Sequence, residues 1–97
     1  VSALAPSINA PPSIRGTPPS TATVGATFSF RPSSFDADGD PLLHSVQNRP
    51  AWMNFDFRTG ELSGVPSIGD IGVSPGIVIS VSDSKATVSL EAFTITV

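Results

Sequence analysis

The chain has 97 residues, eight acidic against five basic side chains for a net charge of -3, 39 % hydrophobic residues and no cysteine. That length sets one domain with a small core, since a chain of this size buries only about 60 to 70 % of the surface its unfolded form exposes. The acidic balance and the scattered basic residues exclude a nucleic-acid partner, and the missing cysteines exclude a disulfide framework or a thiolate metal site.

Residues 1 to 20 carry Pro6, Pro11, Pro12, Pro18 and Pro19 among Ser and Ala. Such a composition stays extended and semi-rigid instead of helical. Residues 1–10 are therefore read as a linker from a preceding region and 11–97 as the domain, with a first edge strand around Ser13 to Arg15, where proline is tolerated nearby. No apolar run reaches membrane-spanning length and no leader opens the chain, so it reads as a domain inside a longer polypeptide.

From Thr21 the period is two. Val24, Phe28 and Phe30 fall on one face and Thr27, Ser29 and Arg31 on the other. Beyond Pro41, Leu42, His44 and Val46 form an inward row opposed by Leu43, Ser45 and Gln47. Residues 54–58 predict a short aromatic strand, Thr59-Gly60 a tight turn and 61–63 its return, a small hairpin. Residues 67–76, with Gly69, Gly72, Pro75 and Gly76, read as a long crossing loop. Ile77, Ile79 and Val81 predict a central strand ending at Asp83-Ser84. In the last segment the inward set changes parity, from Val88 and Leu90 to Phe93, Ile95 and Val97, which predicts a β-bulge at Glu91-Ala92. About seven short strands and no helical period predict an all-β, immunoglobulin-like antiparallel sandwich.

The stretch richest in chemistry is Phe35-Asp36-Ala37-Asp38-Gly39-Asp40-Pro41. Carboxylates about 6 Å apart repel by about 3 kcal/mol per pair at an effective dielectric near 20, so the loop is either freely hydrated or suited to a cation. Hard oxygen donors in a flexible loop suit calcium, with Asp36 and Asp38 ahead of Asp40 as ligands. Asp-Gly-Asp-Pro is equally good turn chemistry, so the hydrated turn stands beside the metal reading. An EF-hand is excluded, because counting from Asp36 puts Pro41 at the glycine position and Gln47 at the bidentate glutamate.

Nothing in the chain supports catalysis. The sole histidine, His44, falls on an inward position, there is no nucleophile elbow, and a small sandwich rarely holds the wide cleft that paired carboxylates need. Trp52 reads as a core residue packed between sheets, with a sugar-stacking platform as the alternative.

Several stretches together carry a resemblance: Asn9-Ala10-Pro11-Pro12, the acidic loop, Pro50-Ala51-Trp52-Met53-Asn54-Phe55-Asp56, Thr59-Gly60-Glu61-Leu62-Ser63-Gly64-Val65-Pro66, Asp70-Ile71-Gly72 and Val78-Ile79-Ser80-Val81-Ser82-Asp83. From about residue 9 to the end the chain resembles the immunoglobulin-like domains repeated in bacterial surface proteins and secreted polysaccharide-degrading enzymes, close to the dystroglycan-type cadherin-like domain. The resemblance implies a non-catalytic extracellular module, a calcium-binding spacer or adhesion repeat of a larger surface or secreted protein. It also implies calcium ligands at Asp36, Asp38, Asp83 and Asn9, at a junction completed by a neighbouring repeat, and hence weak binding by the isolated domain. The acidic motif that cadherins carry at the opposite end is missing, and Asp70 is only a loose substitute. The alternatives are a carbohydrate-binding accessory module with a polysaccharide ligand and a spacer without ligand.

Overall fold

A computed structural model describes residues 10–97. Among these residues nine strands form: β1 (Ser13–Arg15), β2 (Phe28–Phe30), β3 (Ser33–Phe35), β4 (Leu43–Gln47), β5 (Met53–Phe55), β6 (Leu62–Gly64), β7 (Val73–Ser82), β8 (Thr87–Ser89) and β9 (Phe93–Thr96). They reduce to seven runs. Pro32, which has no N–H to give a ladder, separates β2 from β3, and an irregularity at 90–92 separates β8 from β9.

The sheets are antiparallel, in the orders β1-β3, β2-β6-β5 and β4-β7-β8, with β9 also on β7. Past the prolines, the incoming chain leaves β3 and joins the other layer, where Thr21 bridges Thr96 and the Ala22 N–H donates to the Thr96 carbonyl at 2.9 Å. The core draws on both layers: Phe28, Met53 and Leu62 from one, Ile77, Ile79 and Ile95 from the other. This interleaving is what makes the fold a sandwich, each fully buried Leu or Ile contributing about 1.5 to 3 kcal/mol.

β7 is the central strand, with Ile77, Ile79 and Val81 fully buried. It starts four residues earlier than the glycines and proline of 67–76 suggest, because Pro75 and Gly76 sit in a register shift between Ser74 and Ile77 and leave the ladder intact on either side. Residues 67–72 hold only a 3-10 turn at Ile68–Asp70. The irregularity expected at Glu91-Ala92 is present: three steps from Ile77 to Ser80 face four from Ser89 to Phe93, with the Leu90 N–H on the Ile79 carbonyl at 2.9 Å. Val24 departs from its expected inward row. It lies in a turn before β2 and is 36 % exposed. No helix among the described residues is long and apolar enough to cross a membrane.

Two registers fix the poles. Leu43 pairs with Ser82, and Ser13 with Phe35, so the 36–42 loop, the turn after β7 and the start of β1 share one end. Val73 pairs with Thr96 at the other end, about 30 Å along β7.

Candidate metal centre

Asp36 closes β3 with its carboxylate turned inward at 8 % exposure. One of its oxygens accepts the Asp38 N–H at 3.2 Å and the other the Asp40 N–H at 2.8 Å, while its carbonyl takes the Gly39 N–H at 3.1 Å. Asp folds the chain this way because its short carboxylate mimics a backbone acceptor, and Gly39 supplies the left-handed turn at φ +71°. Asp36 is thus the organiser of the loop as well as a member of the acidic set.

The turn brings one carboxylate oxygen each from Asp36, Asp38 and Asp40 within 4.8 Å of one another. Asp38 is exposed, and its Oδ2 accepts the Ala10 N–H at 2.8 Å. The Asp40 Oδ2 is buried and has no hydrogen-bond partner among the described residues. Desolvation of this carboxyl, then the Asp36 charge, raise the Asp40 pKa, with Lys85 pulling the other way. A cluster that holds like charges together and leaves a buried oxygen unpaired is chemically suited to a hard cation, which would satisfy the orphaned atom and cancel the repulsion.

Asp83 sits beyond Ser82 on the turn at the same pole and is 2 % exposed. Its Oδ1 accepts the N–H groups of Lys85 and Ala86, both at 2.8 Å. It does not belong to the three-carboxylate cluster. Asn9, the remaining ligand implied by the resemblance, lies outside the described residues. Sequence reasoning missed Lys85, whose charge acts on Asp40; its position two residues after Asp83 was the available signal.

The other singled-out residues have structural roles. His44 is buried, its Nδ1 3.2 Å from the Phe57 carbonyl and its Nε2 2.7 Å from the Ser34 hydroxyl. The carbonyl only accepts, so Nδ1 carries the hydrogen and Nε2 accepts from Ser34. Trp52 is half-buried and makes a T-shaped contact with Phe28, ring centroids 6.0 Å apart, so part of it packs on the core. Asp70 is engaged with its own turn, its Oδ2 accepting from the Ser67 N–H and hydroxyl at 2.8 and 2.9 Å.

Sheet order, register and shared core define the chain as an immunoglobulin-like, cadherin-like β-sandwich. It belongs to the family described as "Putative Ig domain", which matches residues 7–97. No curated protein matches it. Among solved structures it is similar to part of a putative alpha-galactosidase from Bacteroides fragilis, at 16 % identity and TM-score 0.72 over 98 % of this chain and 19 % of that one. It is also similar to human protocadherin-24 EC1-2 in two crystal forms, at 21 % and 22 % identity and TM-scores 0.61 and 0.63, over 92 % and 91 % of this chain and 44 % of each of those chains. The chain therefore spans about a fifth of the enzyme and under half of the cadherin pair. At these identities the likeness carries the fold.

Proposed function

We propose that this domain is a non-catalytic extracellular spacer or adhesion module of a larger surface or secreted protein, and that its acidic pole takes calcium to stiffen the joint with the preceding segment. The observation that carries the reading is the convergence of one carboxylate oxygen each from Asp36, Asp38 and Asp40 within 4.8 Å, with the buried Asp40 Oδ2 left without a hydrogen-bond partner among the described residues. Asp83 on the adjacent turn and Asn9 ahead of Ala10 are the further oxygen donors proposed for a coordination shell of six to eight. The Ala10 N–H bound to Asp38 ties the incoming chain to this loop, so charge cancellation there acts directly on the hinge.

The test is thermal unfolding in calcium and in chelator. For a dissociation constant of about 0.1 to 1 mM, 10 mM calcium stabilises the folded state by about 1.4 to 2.7 kcal/mol. Asp38→Asn with Asp40→Asn should erase that increment. These two are better probes than Asp36, whose two oxygens hold the loop and which Asn replaces with a single acceptor. An unmoved midpoint, both here and with the preceding segment attached, would remove the metal and leave a spacer.

A further inference from the structure

The β5–β6 hairpin carries a second feature that the acidic pole does not use. An open cleft of about 490 Å³ is lined by Asn54, Asp56, Phe57, Arg58, Glu61 and Ser63, together with Phe55, which also packs against the core. Asn54 and Ser63 are cross-strand partners, and the Asp56 N–H donates to the Glu61 carbonyl at 2.9 Å, so the polar side chains come from two facing pairs. Phe57 sits in the connecting turn and is 54 % exposed, with the Arg58 guanidinium 5.7 Å from its ring centroid.

What distinguishes this cleft from ordinary polar surface is how firmly its turn is held. The buried His44 grips the Phe57 carbonyl twice, through its backbone N–H at 2.7 Å and through Nδ1 at 3.2 Å. The Asp56 carbonyl takes the Gly60 N–H at 2.7 Å, and Asp56 Oδ1 takes the Arg58 N–H at 2.8 Å. Gly60 adopts φ +79° against the His44 ring, where a Cβ would come within 2.7 Å of Cδ2. An exposed aromatic ring on a turn fixed from beneath is preorganised for contact.

We infer that this cleft binds a neutral sugar ring of a glycan chain, the C–H face resting on Phe57 and the hydroxyls taken by Asn54, Asp56, Glu61 and Ser63. Carboxylates and an amide are planar acceptors and donors suited to neighbouring hydroxyls, and the phenyl ring supplies the apolar face such a ligand needs. The pair of carboxylates disfavours uronic acids. With two carboxylates against the single Arg58 guanidinium the cleft is net negative, so a strongly basic peptide is the competing class of ligand that the peptide titration separates.

The experiment is amide-resolved NMR of the chain titrated with cellohexaose, galactohexaose and mannohexaose, alongside oligogalacturonate and an arginine-rich peptide. At least one neutral oligosaccharide should shift the amides of residues 54–63 at millimolar concentration, equally in chelator, while the uronate does not. Phe57→Ala should weaken binding about tenfold and Phe57→Tyr retain it. Asn54→Ala, at an exposed strand position, gives a second loss should Phe57→Ala fail to fold. The assignment is overturned if no neutral probe shifts these amides, if both alanine variants bind normally, if chelator abolishes binding, or if the peptide alone shifts them. Because the acidic pole shares no residue with the cleft, loss of calcium binding and loss of sugar binding are independent results.

Discussion

Asp38 Oδ2 accepts the backbone N–H of Ala10 at 2.8 Å, joining residues 28 positions apart at the pole where the chain comes in. The same carboxylate belongs to the three-oxygen acidic cluster. Asp38→Ala therefore has two separable effects. In chelator the loss of one exposed hydrogen bond, about 0.5 kcal/mol or about 2 to 4 °C in Tm, is opposed by relief of the repulsion from Asp36 and Asp40, so the net shift should stay below that figure. In calcium the variant also loses the metal-dependent increment, so the gap between variant and parent widens. A gap of equal size in the two buffers would show that the bond to Ala10 is all that Asp38 supplies.

Asp40 sets a pH dependence whose sign follows from its environment. Its pKa is raised by desolvation and by Asp36, so the folded state holds the proton more tightly than the unfolded one. The favourable contribution is present below the unfolded value, and it is lost as pH rises through the raised folded value. In chelator, Asp40→Asn should flatten this slope and raise Tm at neutral pH, since an amide is cheaper to desolvate than a carboxylate and removes the repulsion from Asp36. Parallel melting curves for variant and parent across mildly acidic to neutral pH would contradict it.

The legible part of this fold lay where one residue type has one physical use. Ile77, Ile79 and Val81 alternate as a strand buried between neighbours must, and all three are fully buried. The parity change before Phe93 likewise demanded an extra residue, which the register shows. Pro75-Gly76 misled because both residues break ladders, yet here they occupy a compensating bulge on β7, which no local rule distinguishes from a loop. At the acidic pole the sequence placed Asp36, Asp38 and Asp40 in one loop, where they meet, whereas Asp83, expected beside them, stands on the adjacent turn outside that cluster. Their division of labour was hidden, since Asp36 holding the loop through two backbone N–H groups depends on its burial.

His44 and Gly60 form a steric pair that a double-mutant cycle can resolve. An alanine Cβ at Gly60 would lie 2.7 Å from His44 Cδ2 and 3.0 Å from Pro32 Cγ, on a backbone at φ +79°. Gly60→Ala should cost about 2 to 4 kcal/mol, of which about 1 to 2 is the left-handed backbone. His44→Ala should cost about 2 to 3 kcal/mol by emptying a buried site and stripping Ser34 of its partner. In the double variant the clash with the imidazole is gone and the crowding against Pro32 remains, so the combined cost should fall below the sum by about 1 kcal/mol in denaturant unfolding. Strict additivity would mean that the two do not compete for space.

Gly64 and Gly69 should respond to alanine with opposite signs. Gly64 lies in β6 opposite both Phe28 and Met53, and a Cβ there would fall 2.4 Å from the Trp52 carbonyl oxygen and 3.2 Å from the Met53 Cα. Those are backbone atoms at the start of β5 and of the residue before it, so relief requires the paired backbones themselves to part. Gly64→Ala should cost at least about 3 kcal/mol, a large share of the roughly 5 to 15 kcal/mol that such domains possess. Gly69 is exposed in the 3-10 turn, its nearest neighbour to a new Cβ being the Ser67 hydroxyl at 3.9 Å. Alanine there only narrows the unfolded ensemble, for a gain of about 0.4 to 1 kcal/mol. Urea unfolding of the two variants side by side checks both signs, and a tolerated Gly64→Ala would show that β5 and β6 are not packed as closely as the register requires.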